Sequence, residues 1–200
     1  LILSRICDGL FYDFGNDSKL RNEFSKRFEE YIFELISNNL GGKFEVLSEF
    51  IYSKALRTPD ILVRQNADFN CAFELKARRQ SPYARGATNA SSEAAEAFME
   101  IAKGIAQLWR FSQDVKVGRI DRVGRNEKYY LVLCTLDNWI EFSENINKEL
   151  RDLAQIYARE RSWDIGENQD EICICSVDDV EYILNHGNLK ELIEAVQASC

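Results

Sequence analysis

Two short apolar runs, Ile61-Leu62-Val63 and Cys71-Ala72-Phe73, carry charged residues just outside them, Asp60 before the first and Glu74 and Lys76 after the second. Runs of this kind on either side of a polar stretch (here 65–69) are strands. Strands joined by so short a link pair antiparallel, with the turn centred near Ala67 or Asp68. Side chains on a strand alternate between faces, so Glu74 and Lys76 point the same way. Asp60 joins them if it pairs opposite either one, with Cβ atoms about 5 Å apart. A hydrophobic hairpin with two carboxylates and an ammonium at one end must pair those charges or bind a cation with them. An inter-strand salt bridge and a metal site are both open on spacing alone.

The rest of the chain supplies the elements to cover such a hairpin. Asn16-Asp17-Ser18 offers N-cap chemistry for a helix to about residue 39, closed by Gly41-Gly42. Residues 43–52 read as a strand, followed by strands at 59–63 and 70–77 and a loop at 81–89 with Pro82 and Gly86. Ser91 or Ser92 caps a long helix to about residue 113, whose apolar stripe runs through Ala94, Phe98, Ile101, Ile105 and Leu108. A basic connection over 116–128 leads to an apolar strand at 129–135 of the type found inside parallel sheets. A helix over 139–161, a strand over 171–176 and short helices over 177–184 and 189–198 complete the order. Helix, three strands, helix, strand, then helix, strand, helix predicts an α/β fold: one mixed central sheet flanked by helices.

Composition narrows the function. The 46% hydrophobic content is that of a globular domain, and no apolar run approaches a membrane span. Two hundred residues suit one domain, with a core at about 18–135 and a C-terminal extension at 136–200. The chain opens on Leu1, and is expected to be a piece of a longer protein with an upstream domain as partner. His186 is the single histidine, which argues against Ser-His and Cys-His catalysis; it precedes Gly187 at a helix end, where capping or solvent contact is expected. The six cysteines show no CxxC spacing, and Cys71, Cys134, Cys173 and Cys175 fall in apolar runs as buried thiols of a reducing, cytoplasmic compartment. Net charge is −8, against a nucleic-acid partner at first sight. Residues 76–128 nevertheless hold 11 Lys and Arg against 6 Asp and Glu, while the remainder holds 14 against 27.

Pro59-Asp60, then thirteen residues, then Glu74-Leu75-Lys76 resembles the signature of the PD-(D/E)xK phosphodiesterase superfamily. Members often carry a glutamate on the helix before the sheet. With Phe28 at zero and about 100° per residue, Leu20, Phe24, Tyr31, Ile32, Leu35, Ile36 and Leu40 fall between roughly −80° and +120°. Glu29 falls at about 100°, inside that arc, whereas Glu23, Glu30 and Glu34 lie on the opposite side at roughly 200–240°. The order of elements over about 18–135 is similar to the superfamily's αβββαβ, restriction-endonuclease-like core. Gln107 and Phe111 resemble a Gln-x-x-x-Tyr pattern of exonuclease-like branches, with Phe in place of Tyr.

The resemblance implies that Asp60 and Glu74, with the Leu75 carbonyl, bind one or two Mg²⁺ or Mn²⁺ ions. Lys76 would orient or activate the attacking water, and Glu29 would complete the metal shell. The implied reaction is phosphodiester hydrolysis, in DNA, by the effector domain of a larger defence, restriction or repair protein. Arg78, Arg79 and Arg85 would neutralise backbone phosphates, with Arg119, Arg122, Arg125 and Lys128 as a second group. Lys103, Gln107 and Arg110 form either a strand-contacting helix face or an ordinary solvated one. The alternatives are a nuclease-fold domain that binds nucleic acid or a protein partner without cutting, and an unrelated α/β domain in which Asp60, Glu74 and Lys76 are a structural ion-pair cluster. In the last, the acidic segment 177–181 would point to protein contacts.

Overall fold

The computed structural model describes residues 18–40, 42–53, 56–65, 69–77, 92–124, 128–136, 144–167 and 169–187. Its elements are α1 (Ser18–Leu40), β1 (Glu45–Ser48), β2 (Ile51–Ser53), β3 (Leu56–Arg57), β4 (Ile61–Gln65), β5 (Phe69–Lys76), α2 (Ser92–Lys116), β6 (Tyr130–Thr135), α3 (Glu144–Glu160), β7 (Ile172–Ser176) and α4 (Val177–His186). The predicted loop at 81–89 and helix at 189–198 lie outside the described residues.

Five strands form one sheet in the order β1-β4-β5-β6-β7. The β1/β4 and β4/β5 pairs are antiparallel, whereas β5/β6 and β6/β7 are parallel. The fold is therefore α/β, with a mixed sheet flanked by helices. In the β4/β5 hairpin Ile61 faces Phe73 and Gln65 faces Phe69, a register symmetric about Ala67. Alternation then sorts the side chains into two layers. Leu62, Ala72, Leu131 and Leu133 lie beneath α2 and α3, against Ile101, Ile105, Leu108 and Leu150. Ile61, Cys71, Phe73, Val132 and Cys175 lie on the other face, against Phe28, Ile32 and Ile36 of α1 and Val180 of α4. Strand β6 is covered on both faces, which is why it reads as an unbroken apolar run. Cys71, Cys134, Cys173 and Cys175 are free thiols within this core. Burial pushes the Cys71 thiol well above its ordinary range, so it behaves as a small hydrophobe.

Two expectations are corrected. The predicted strand at 43–52 is broken: β1 ends at Ser48, and β2 pairs instead with β3 in a separate two-stranded sheet. The break has a local cause. The Glu49 N–H donates to the Asp60 carbonyl at 2.9 Å, the Thr58 N–H to the Phe50 carbonyl at 3.1 Å, and the Phe50 N–H to Thr58 Oγ1 at 3.1 Å. The first continues the β1/β4 register past Ser48 and Ile61, the pairing shifts by one residue at Phe50 and Thr58, and together these bonds hold the backbone on which Asp60 sits.

The buried stripe of α1 is also narrower than the predicted apolar arc. Phe28, Ile32 and Ile36 are buried, but Leu20 and Tyr31 are each 46% exposed and Phe24 is 37% exposed. A helix lying on a sheet covers only the residues that face it, and an apolar flank does not bury itself. The helix predicted over 177–184 is α4, and the acidic segment 177–181 opens it. Ser176 caps that helix in a reciprocal capping box with Asp179, and Asp178 and Asp179 suit its positive end. At the other end Gly187 donates to the Ile183 carbonyl, and the His186 ring stacks on Tyr182. Among the described residues no helix is long and apolar enough to cross a membrane.

Candidate active site

Asp60 sits one position before the Ile61–Phe73 pair, which sets it opposite Glu74 on the adjacent strand. Its Oδ2 accepts the Leu75 backbone N–H at 2.7 Å. Glu74 is 2% exposed, and its Oε1 receives the Lys76 ammonium at 2.8 Å. Lys76 also donates to Gln107 Oε1 at 3.2 Å, so α2 closes the group from above. Hairpin register and strand alternation thus bring Asp60, Glu74 and Lys76 together at the carboxyl end of β5, the end of a parallel strand at which α/β sheets bind ligands.

Charge in this corner is unbalanced. Burial, and then the neighbouring Glu74 carboxylate, hold the Asp60 carboxyl well above its usual range, against the Leu75 N–H and Lys76. Burial pulls the Lys76 ammonium down, but its pairing with Glu74 outweighs that and the net shift is upward. Lys76 therefore remains a cation at neutral pH. Glu29 is raised as well, first by burial and then by Glu49 and Glu74. Three carboxylates share one ammonium, a surplus of negative charge that a divalent cation relieves.

A raised carboxyl has a defined sign in stability. The folded state binds the Asp60 proton more tightly than the unfolded state, so this contribution is present at acid pH and is lost as pH rises through the folded-state value. Asn at position 60 keeps the shape and the acceptor for Leu75 N–H without that charge. Metal-free Asp60→Asn is accordingly expected to melt several degrees above the wild type at pH 8, and level with it near pH 4. A thermal melt series in EDTA across that range checks it; a variant less stable at pH 8 would mean that Asp60 is not held in the way described.

The close approach of α2 depends on Gly104. A Cβ built there would lie 2.6 Å from Leu133 Cδ1, 3.0 Å from Lys76 Cε and 3.4 Å from Glu74 Cγ. Glycine is disfavoured within a helix, and here it lets the helix backbone lie directly on β5 and β6. The sequence reading missed this residue. Its signal was a lone glycine inside a long, strongly periodic helix, which usually marks a packing contact.

Beside Lys76 opens a cavity of about 340 Å³, lined by Arg21, Ser25 and Glu29 from α1, Leu75 and Lys76 from β5, and Glu100 from α2. Glu29 is at this wall, in the electrostatic field of Glu74 and Lys76, but it is exposed rather than core-facing. It reaches the site along the uncovered flank of α1, beyond the stripe that the sheet buries.

The predicted phosphate-binding cations divide. Arg110 is a correction: it is 7% exposed, donates to the Arg57 carbonyl at 2.7 Å and stacks 4.4 Å from the Trp163 ring, so it faces the interior. Phe111 is wholly buried, edge-on to Tyr129. Lys103 is half-buried and pairs with Glu100 at 2.5 Å. Gln107 touches Lys76 and so belongs to the site itself. Arg119 bridges Asp114 and Asp164 at 2.7 and 3.2 Å, and Arg122 lies 5.2 Å from the Phe50 ring. Both follow the end of α2, about 18 Å of helix beyond Gly104. Lys128 is exposed, 5.4 Å from the Tyr130 ring. Arg78, Arg79, Arg85 and Arg125 lie outside the described residues.

Among the described residues no group of three or more His, Cys, Asp or Glu side chains is spaced to hold a metal ion. Mg²⁺ does not require one, since it commonly takes one or two carboxylates and keeps several waters. The donors at hand, two carboxylates and the Leu75 carbonyl, are the hard oxygens that it prefers. No family profile, curated protein or solved structure matches this chain.

Proposed function

We propose that this chain is a divalent-metal-dependent nuclease that hydrolyses phosphodiester bonds in DNA. The observation that carries the reading is the Asp60–Glu74 pair at the carboxyl end of β5, with Lys76 beside it and lining the adjoining cavity. Asp60, Glu74 and the Leu75 carbonyl would hold Mg²⁺ or Mn²⁺, with Glu29 contributing directly or through water. The metal supplies an acidified water and neutralises charge that develops on the phosphate. Asp60 binds a metal as the carboxylate, the form that burial disfavours, so metal affinity should rise with pH. Lys76 acts as a cation and not as a base. Two of its three N–H donors go to Glu74 and Gln107, and the third suits a water or a phosphate oxygen. Gln107 holds that ammonium in place and acts through it.

The test is incubation of the purified chain with plasmid and with linear single-stranded DNA, in Mg²⁺ or Mn²⁺ against EDTA. Cutting that needs the metal is expected. A second reading, a nuclease-fold domain that binds nucleic acid or a partner without cutting, draws on the lack of a three-ligand cluster among the described residues. Retention of DNA with no cutting in either metal would select it.

A further inference from the structure

We infer that the cavity beside Lys76 is a phosphate-binding subsite for a single nucleic-acid strand, with Arg21 as its cation. The inference rests on the nuclease reading of the neighbouring carboxylates, but it uses none of their chemistry. Arg21, Ser25, Phe28 and Glu29 recur at helical spacing along α1 and line the cavity together. The Nε of Arg21 is buried and has no hydrogen-bond partner among the described residues. Arg21 stands on the cavity wall, and a phosphate is the anion that a planar guanidinium fork fits best.

The surroundings favour a strand over a free ion. Asn22 and Ser25 add polar groups to the same wall, and Phe24, 37% exposed, adds an aromatic ring of the kind on which bases stack. Lys76 stands on the facing wall. Of the two acidic residues there, Glu100 is neutralised by Lys103, and Glu29 is the residue suited to a metal shell. A recess of about 340 Å³ is of a size for one nucleotide of a flexible strand and not for a duplex.

The test is binding of a short fluorescein-labelled oligothymidylate by anisotropy at several salt concentrations, with Ca²⁺ in place of Mg²⁺. Arg21→Gln is expected to weaken binding roughly 10- to 100-fold and to lower the slope of log K against log salt by about 0.7, the value for one phosphate on a single strand. Arg21→Lys should keep the slope and recover part of the affinity, which separates lost charge from lost structure. A matching duplex should lose much less. The inference is overturned if Arg21→Gln binds with wild-type affinity and slope, if the duplex is weakened equally, or if the wild type binds no oligothymidylate. A protein that binds through Arg21 yet cuts nothing in Mg²⁺ keeps the subsite and sinks the nuclease reading. One that cuts while Arg21→Gln binds normally does the reverse.

Discussion

Lys76→Ala is expected to remove metal-dependent cleavage, a loss of about 10²- to 10³-fold or more, the usual effect of deleting one preorganised group that stabilises transition-state charge. The same change should destabilise the fold. Glu74 is 2% exposed and Lys76 is its ion-pair partner, so alanine leaves a buried carboxylate uncompensated, at a cost of about 3–5 kcal/mol. For a chain of this size that is a fall in Tm of roughly 6–20 °C. Two readouts are therefore needed: Tm in EDTA, then cleavage measured well below it. Lys76→Arg preserves the charge and should regain most of the Tm. It should regain little activity, because a planar fork cannot replace a compact, rotatable ammonium. Folded Lys76→Ala that cuts at the wild-type rate would refute the assignment of Lys76. A Tm unchanged by alanine would show that Glu74 is not held by this pair.

Gly104→Ala should be harmful at a position where helix propensity alone forecasts a benefit. Alanine in place of an exposed helical glycine stabilises by about 1 kcal/mol. Here the added methyl meets Leu133 Cδ1 at 2.6 Å, and Leu133 is wholly buried in the core. Overpacking of this kind costs about 1–3 kcal/mol, so the net effect is expected to be a loss. The effect on function should be larger. Relief of the clash moves α2 off the sheet or pushes Lys76, whose Cε is 3.0 Å from the new atom. A displacement of about 1 Å at a catalytic group can lower the rate about 10²-fold. Cleavage rate and Tm together decide the matter: a higher Tm with an unchanged rate would show that the approach of α2 to Glu74 and Lys76 is not needed.

The β4/β5 hairpin was legible because its determinants are local. Alternation and the polar link put Asp60 opposite either Glu74 or Lys76, and the structure has it opposite Glu74. Glu29 was legible in part: its angle on α1 directed it toward the site, but the helical wheel could not tell a covered face from an open flank. Residues 43–52 looked like one strand because Phe50, Ile51 and Tyr52 continue the apolar pattern. The tie from Phe50 to Thr58, eight residues later, breaks it. Propensity cannot register a bond made by a side chain that has yet to arrive.

The basic residues of 76–128 show where sequence reading stops. A count of charges places them in one stretch, but α2 and the turns after it set the described ones in different surroundings. Arg110 ends in the core beside Trp163, Arg119 is tied to Asp114 and Asp164, and Gln107, which carries no charge, reaches Lys76. Arg21, well outside that stretch, is the residue left with a buried and unmatched donor at the cavity. The sequence by itself determined the shared face of Asp60, Glu74 and Lys76, since neighbours on a hairpin follow from spacing. Only the tertiary structure decided which cations serve that face and which serve the core. That depends on how closely α2 lies on the sheet, and the one residue that sets the closeness, Gly104, has no side chain to announce it.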